Sequence, residues 1–151
     1  MTPETLAIAR RVEKHPAFNR LTVGLRIVEP EPDTGGYGAF RVDGDEDGIW
    51  IRAADGSEWF PNDDDHSPPM SFSLWGVPDL DDAATVGVLL SRIPGRVVIN
   101  RESSGACHAA FPSLLIPDFH GATLGQAVAL AWLATAVAPV PKPADTEEVS
   151  L

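Results

Sequence analysis

Apolar residues recur at helical spacing in three segments of the chain, and each segment carries its own start and stop signals. The first predicted helix begins after Thr2, a good N-cap residue, and closes at His15, which precedes a proline. The second follows the carboxylates of residues 79–82, which favour the positive end of a helix dipole, and it stops at Pro94. Its apolar stripe consists of Val86, Leu89, Leu90 and Ile93.

The third predicted helix begins at Thr123 and ends before Pro139. Thr123 and Gln126 have the spacing of a capping box, in which each side chain satisfies the backbone donor of the other residue. One face carries the residues that we expect in the core, namely Leu124, Ala127, Val128, Ala131, Trp132 and Thr135.

Period-two alternation predicts antiparallel strands between these helices. The candidates are residues 23–28, 37–42, 49–53 and 58–60 in the first half, then the apolar runs 97–99 and 106–111. Ser103-Ser104-Gly105 separates the last two runs and has the chemistry of a hairpin turn. Residues 77–138 therefore form one predicted helix–strand–strand–helix unit.

The predicted fold class is α+β, with an antiparallel sheet of four to six strands packed with two to three amphipathic helices. Residues 1–138 form a single predicted globular domain, and the proline-rich, acidic residues 139–151 form a predicted disordered tail. A length of 151 residues is sufficient for one core.

Charge and composition limit the classes of partner and the cellular location that we expect. The net charge is −11, and residues 29–65 hold twelve acidic residues against Arg41 and Arg52. A field of this sign repels phosphates, so direct nucleic acid binding is not expected. We expect neither a signal peptide nor a membrane segment, and the lone Cys107 excludes an internal disulfide. The predicted location is the cytoplasm.

Candidate binding residues cluster around the acidic segment. Three tryptophans near it could stack on a ligand or simply pack on the sheet, whereas Trp132 is expected in the core. A run of aspartates and one histidine could instead contact a basic partner or stay solvated. The candidate binding residues are Trp50, Trp59, Asp63, Asp64, Asp65, His66 and Trp75.

The remaining motifs do not predict a metal site or a catalytic site. His108 and His120 are potential metal ligands together with Asp63, Asp64, Asp65 and His66, but no recognised spacing unites them, so no metal or cofactor is expected. Asp43, Asp45 and Asp47 match the opening of a calcium loop, but Ala54 occupies the position of the bidentate glutamate, which favours a hairpin turn. Cys107 and His108 are neighbours on a strand, face opposite sides, and cannot act as a catalytic pair.

The segment VPDLDDAATVGVLL (residues 77–90), together with TLGQAVALA (123–131) and the N-terminal residues 2–16, resembles small uncharacterised proteins of phages and prophages. Departures from that pattern are Asp82-Ala83 and Val88. The resemblance implies an α–β–α sandwich and transfers no catalytic residue to this chain.

These observations predict a noncatalytic phage or prophage accessory protein of the host bacterial cytoplasm. Its acidic surface would bind a host macromolecule, with counter-defence as one version of this role, and a host or phage protein is the expected partner. The alternative is a small-ligand, nucleotide-type binding protein or sponge with an aromatic pocket. A third hypothesis is a metal-dependent hydrolase built on Asp63, Asp65 and His66.

Overall fold

Three helices form where their capping residues predict them. The computed structural model describes residues 1–29, 39–53, 56–60, 76–112 and 116–136. Helix α1 spans Pro3–Lys14, α2 spans Ala83–Ser91 and α3 spans Leu124–Thr135. The side chains of Thr2, Asp82 and Thr123 each accept a hydrogen bond from the backbone amide three residues further on, so each helix start is capped.

The strands divide between two antiparallel sheets. The larger sheet has the order β4-β3-β2-β1-β5, with β1 at Arg26–Val28, β2 at Ala39–Asp45, β3 at Gly48–Ala53, β4 at Glu58–Trp59 and β5 at Val77–Pro78. The smaller sheet has the order β6-β7-β8, with β6 at Val98–Arg101, β7 at Cys107–Ala110 and β8 at Phe119–Gly121. The α+β class is confirmed, and the larger sheet has a strand number within the predicted range.

Two hydrophobic cores lie side by side. The sheet core covers one face of the larger sheet and consists of Leu25, Ile27, Phe40, Val42, Ile51 and Ala53. The helical core joins the three helices, β5 and the smaller sheet, and α3 lies at its centre with seven buried residues. Phe18 packs against both cores, so the segment after α1 connects them.

The close packing of α3 requires a glycine. A Cβ at Gly125 would overlap the carbonyl oxygen of Leu80, which is itself fully buried. The start of α3 therefore touches the backbone just before α2. A buried hydrogen bond from Gln126 Nε2 to Thr5 Oγ1 (2.8 Å) ties the same end of α3 to α1.

Three local predictions were wrong. Val23 does not begin a buried strand; it is 45 % exposed because Gly24, with φ of +99°, turns the chain before Leu25. The capping box is incomplete: the Gln126 side chain accepts from the amide of Ala122 rather than from that of Thr123. The unit of residues 77–138 contains two further strands, β5 and β8, which the sequence analysis did not predict.

The turn interpretation of the aspartate motif is confirmed. Strands β2 and β3 extend to Asp45 and Gly48, which leaves Glu46-Asp47 as the turn. Asp43 lies diagonal to Arg52 across the ladder, with 3.6 Å between carboxylate and guanidinium, and Asp45 Oδ1 accepts from the amide of Asp47. These contacts engage the Asp43 and Asp45 carboxylates within the hairpin. They do not direct the carboxylates towards one point, as a calcium loop would.

Candidate functional site

Most of the predicted binding residues lie outside the described residues. This holds for Asp63, Asp64, Asp65, His66 and Trp75, and for the side chain of Trp59, whose backbone lies in β4. The predicted tail also lies outside them. Trp50 lies on β3, packs edge to face on Phe60 at 6.2 Å, and buries an indole N–H that has no partner among the described residues.

A row of arginines crosses the outer face of the larger sheet. Arg26, Arg41 and Arg52 are paired in register on three neighbouring strands and line a cavity of about 140 Å³. Like charges placed directly opposite one another destabilise a sheet unless they are neutralised.

Carboxylates neutralise this row. Arg41 makes two hydrogen bonds to Asp82, at 2.7 and 3.0 Å, and this pairing lowers the pKa of Asp82 to about 2. Arg26 pairs with Asp79, and Arg52 lies 3.0 Å from Glu58 and 3.6 Å from Asp43. Four carboxylates therefore surround three guanidinium groups, and an anionic ligand would have to displace one of them.

A larger cavity of about 220 Å³ lies where the two cores meet, and we call it the inter-core cavity. Phe18, Leu25, Val88, Leu89 and Trp132 supply its apolar walls. The Trp132 ring is held edge to face by His15 at 5.1 Å and by Phe18 at 6.4 Å, so this wall is fixed on two sides.

Three polar residues border the inter-core cavity: Asn19, Thr22 and Arg92. Arg92 caps the C-terminal end of α2, is exposed, and makes no ion pair with a described residue. The Asn19 carbonyl groups hold the local turn by accepting from Leu21 and Thr22, which leaves the side-chain amide nitrogen available. The cavity thus combines aromatic and aliphatic walls with one cation and one amide at its rim.

A cluster of histidines and an aspartate occupies the outer face of the smaller sheet. His108 on β7 and His120 on β8 are directly opposite in register, with ring centroids 5.2 Å apart. Asp118 precedes His120 by two residues, and its carboxylate lies 3.9 Å from His108 Nδ1. One potential ligand atom from each residue lies within 4.8 Å of the others.

The neighbouring cysteine belongs to the other side of this sheet. Cys107 is 3 % exposed on the face that packs against α3, and its thiol contacts the carbonyl oxygen of Gly105 at 3.5 Å. His108 lies on the opposite, half-buried face. The prediction that Cys107 and His108 cannot pair is confirmed.

Comparisons with protein-family models, curated proteins and solved structures found no match to this chain. The resemblance to phage and prophage proteins stays a prediction. Within the described part of the chain, the helices are too short or too polar to span a membrane.

The sequence analysis predicted neither the histidine–aspartate cluster nor the inter-core cavity, and in each case the reason can be identified. His108 and His120 were recognised as potential ligands, but their meeting depends on β8, a strand of three residues. The alternation of Asp118 and His120 was an available signal for one strand face. The inter-core cavity had no local signal, because its walls come from three separate segments of the chain.

Proposed function

We propose that this chain is a noncatalytic binding protein and that the inter-core cavity holds a small ligand consisting of an apolar ring and a carboxylate. The observation that carries the proposal is the position of Arg92 beside a cavity walled by Phe18 and Trp132. Ligand sites characteristically combine apolar walls with a few polar groups that fix orientation. The proposed location is the cytoplasm.

The charge around the cavity supports an anionic ligand. The segment from Ala17 to Leu25, which supplies one wall, has a single charged residue, Arg20, whose guanidinium pairs with Glu13. Arg92 adds a guanidinium without a described carboxylate partner. A carboxylate at this rim would gain a charge-assisted hydrogen bond, whereas an ammonium group would be repelled.

The size of the cavity limits the ligand. Sites for drug-sized molecules occupy about 300–1,000 Å³, and the inter-core cavity has about 220 Å³. This volume favours a single ring with a short acidic arm over a nucleotide. We therefore propose that the aromatic pocket is lined by Phe18 and Trp132. The sequence analysis had placed it at Trp50, Trp59 and Trp75.

Phenylacetate and phenethylammonium are suitable probes, because they share a ring and differ in the sign of their charge. We expect phenylacetate to bind with a Kd in the millimolar range, a usual affinity for so small a ligand, and phenethylammonium to bind at least fivefold more weakly. Ligand-observed NMR on the purified full chain measures both affinities.

The matched variants are Arg92→Gln and Arg96→Gln, which remove the same charge from two exposed arginines. Only Arg92 lines the cavity. Arg92→Gln should weaken phenylacetate binding at least fivefold while Arg96→Gln leaves it unchanged. Equal binding of both probes, or equal effects of the two variants, would contradict the proposal.

The acidic surface and its host partner stay a prediction. Most residues of that segment lie outside the described residues, and those inside, such as Asp43 and Glu58, pair with Arg52. Binding of a basic partner protein that is lost when Asp63, Asp64 and Asp65 become asparagine would support it.

A further inference from the structure

We propose that His108, Asp118 and His120 form a binding site for a divalent transition metal ion of the zinc class, independent of the inter-core cavity. The two sites share no residue: the cavity lies between α2 and α3, whereas the three side chains lie on the outer face of the smaller sheet.

The strand register brings the three ligands together. His108 and His120 are directly opposite across the β7–β8 ladder, which places their Cβ atoms on one face at the shortest cross-strand spacing. Asp118 lies two residues before His120, so the alternation of the extended chain directs it to the same face. Its carboxylate is already 3.9 Å from His108 Nδ1.

The distances suit a metal after small side-chain rotations. Zinc lies about 2.0–2.2 Å from nitrogen and oxygen ligands, which places two ligands of a tetrahedral site about 3.4 Å apart. The three ligand atoms here lie within 4.8 Å of one another, so the widest pair must close by at most about 1.4 Å. The side chains of His108 and Asp118 are 27 % and 43 % exposed, and His120 is exposed, which leaves them room to rotate.

The identity of the ligands selects the metal class. Two imidazoles and one carboxylate suit zinc and its neighbours, whereas magnesium and calcium prefer oxygen ligands alone. Cys107 cannot join the set because it is buried on the opposite face of β7. Asn100 pairs with His108 from β6, on the side away from His120. Three protein ligands leave an open coordination position towards solvent, to be filled by water or by an exogenous ligand.

The charge of the protein also favours a cation at this site. The two imidazoles lie directly opposite one another, beside the Asp118 carboxylate. A divalent ion bound between them would be attracted by that carboxylate and by the net charge of −11.

Zinc titration of the purified full chain, measured by competition with a chromogenic chelator, tests the site. We expect one zinc ion per chain with a micromolar or lower Kd, and at least tenfold weaker binding in His120→Ala and in Asp118→Asn. The control Asn100→Ala, on the same sheet face, should bind as the unchanged protein does. Cobalt substitution should give visible absorption bands of a four-coordinate site, which the two ligand variants lose.

His108 is half-buried and Asp118 and His120 are exposed, so the variants should fold, and circular dichroism is the check. Failure to bind zinc at 100-fold excess over the protein would overturn the proposal. So would zinc binding that His120→Ala and Asp118→Asn leave unchanged, since the metal would then lie elsewhere, for instance at Asp63–His66. Either outcome leaves the phenylacetate result untouched.

Discussion

At the scale of single residues, the Asp82 side chain joins helix α2 to the larger sheet. Its carboxylate caps α2, accepts from the Thr85 amide and hydroxyl at 2.9 Å each, and pairs with Arg41 on β2. Thr85 in turn accepts from the Arg26 amide at 2.8 Å. One side chain thereby connects the start of α2 to the larger sheet, which explains why the pKa of Asp82 lies at about 2.

Asp82→Asn should lower the free energy of unfolding by about 2 kcal/mol at pH 7, since each pKa unit corresponds to about 1.4 kcal/mol. Asparagine caps helices as well as aspartate does, so the loss measures mainly the ion pair with Arg41. Denaturant unfolding followed by circular dichroism gives the value. Asp81→Asn is the control, because Asp81 is exposed and its carboxylate has one charged partner among the described residues, the N-terminal ammonium at 3.5 Å.

The same residue sets a pH dependence. The folded-state pKa of Asp82 lies below the ordinary value of 3.8, so its stabilisation is present above about pH 4 and is lost as the pH falls towards 2. Unfolding free energy measured across this window should fall more steeply for the unchanged protein than for Asp82→Asn. Parallel curves for the two proteins would show that Asp82 is not the responsible group.

At the scale of elements, the contact between α3 and the backbone before α2 depends on Gly125. Gly125→Ala should destabilise the protein by about 1–3 kcal/mol or more, because the new methyl group would overlap the buried Leu80 carbonyl. Gly87→Ala is the matched change in α2, where nothing lies within 4 Å of the added Cβ. That variant should gain up to about 1 kcal/mol from helix propensity. Thermal unfolding of both variants measures the difference, and similar melting temperatures would contradict this packing.

At the scale of the whole molecule, the elements that depend on local interactions were predicted better than the features that depend on tertiary contacts. The helix starts were predicted from Thr2, Thr123 and the acidic residues within 79–82, because capping is a local interaction. Trp132 was correctly assigned to the core from helical spacing. Val23 was misassigned because a single glycine, Gly24, changes the chain direction without altering the alternation of apolar residues. β8 was missed because three residues are too short for a recognisable pattern.

The candidate sites were the least predictable part because each depends on tertiary arrangement. The inter-core cavity exists where two cores meet at Phe18, and no sequence pattern marks that boundary. The tryptophan clustering expected near the acidic segment rested on closeness in sequence alone. Trp132, assigned only a core role, has a second role as a cavity wall.

The central claim is that a small ring-bearing carboxylate binds between the two cores, and chemical-shift mapping tests it most directly. Phenylacetate is titrated into ¹⁵N-labelled full chain, and the amide and indole signals are followed. The proposal predicts the largest shifts at the Trp132 indole and at the amides of residues 17–25 and 88–92, with little change at the Trp50 indole. Shifts concentrated at Trp50, or no saturable shift at Trp132, would contradict it.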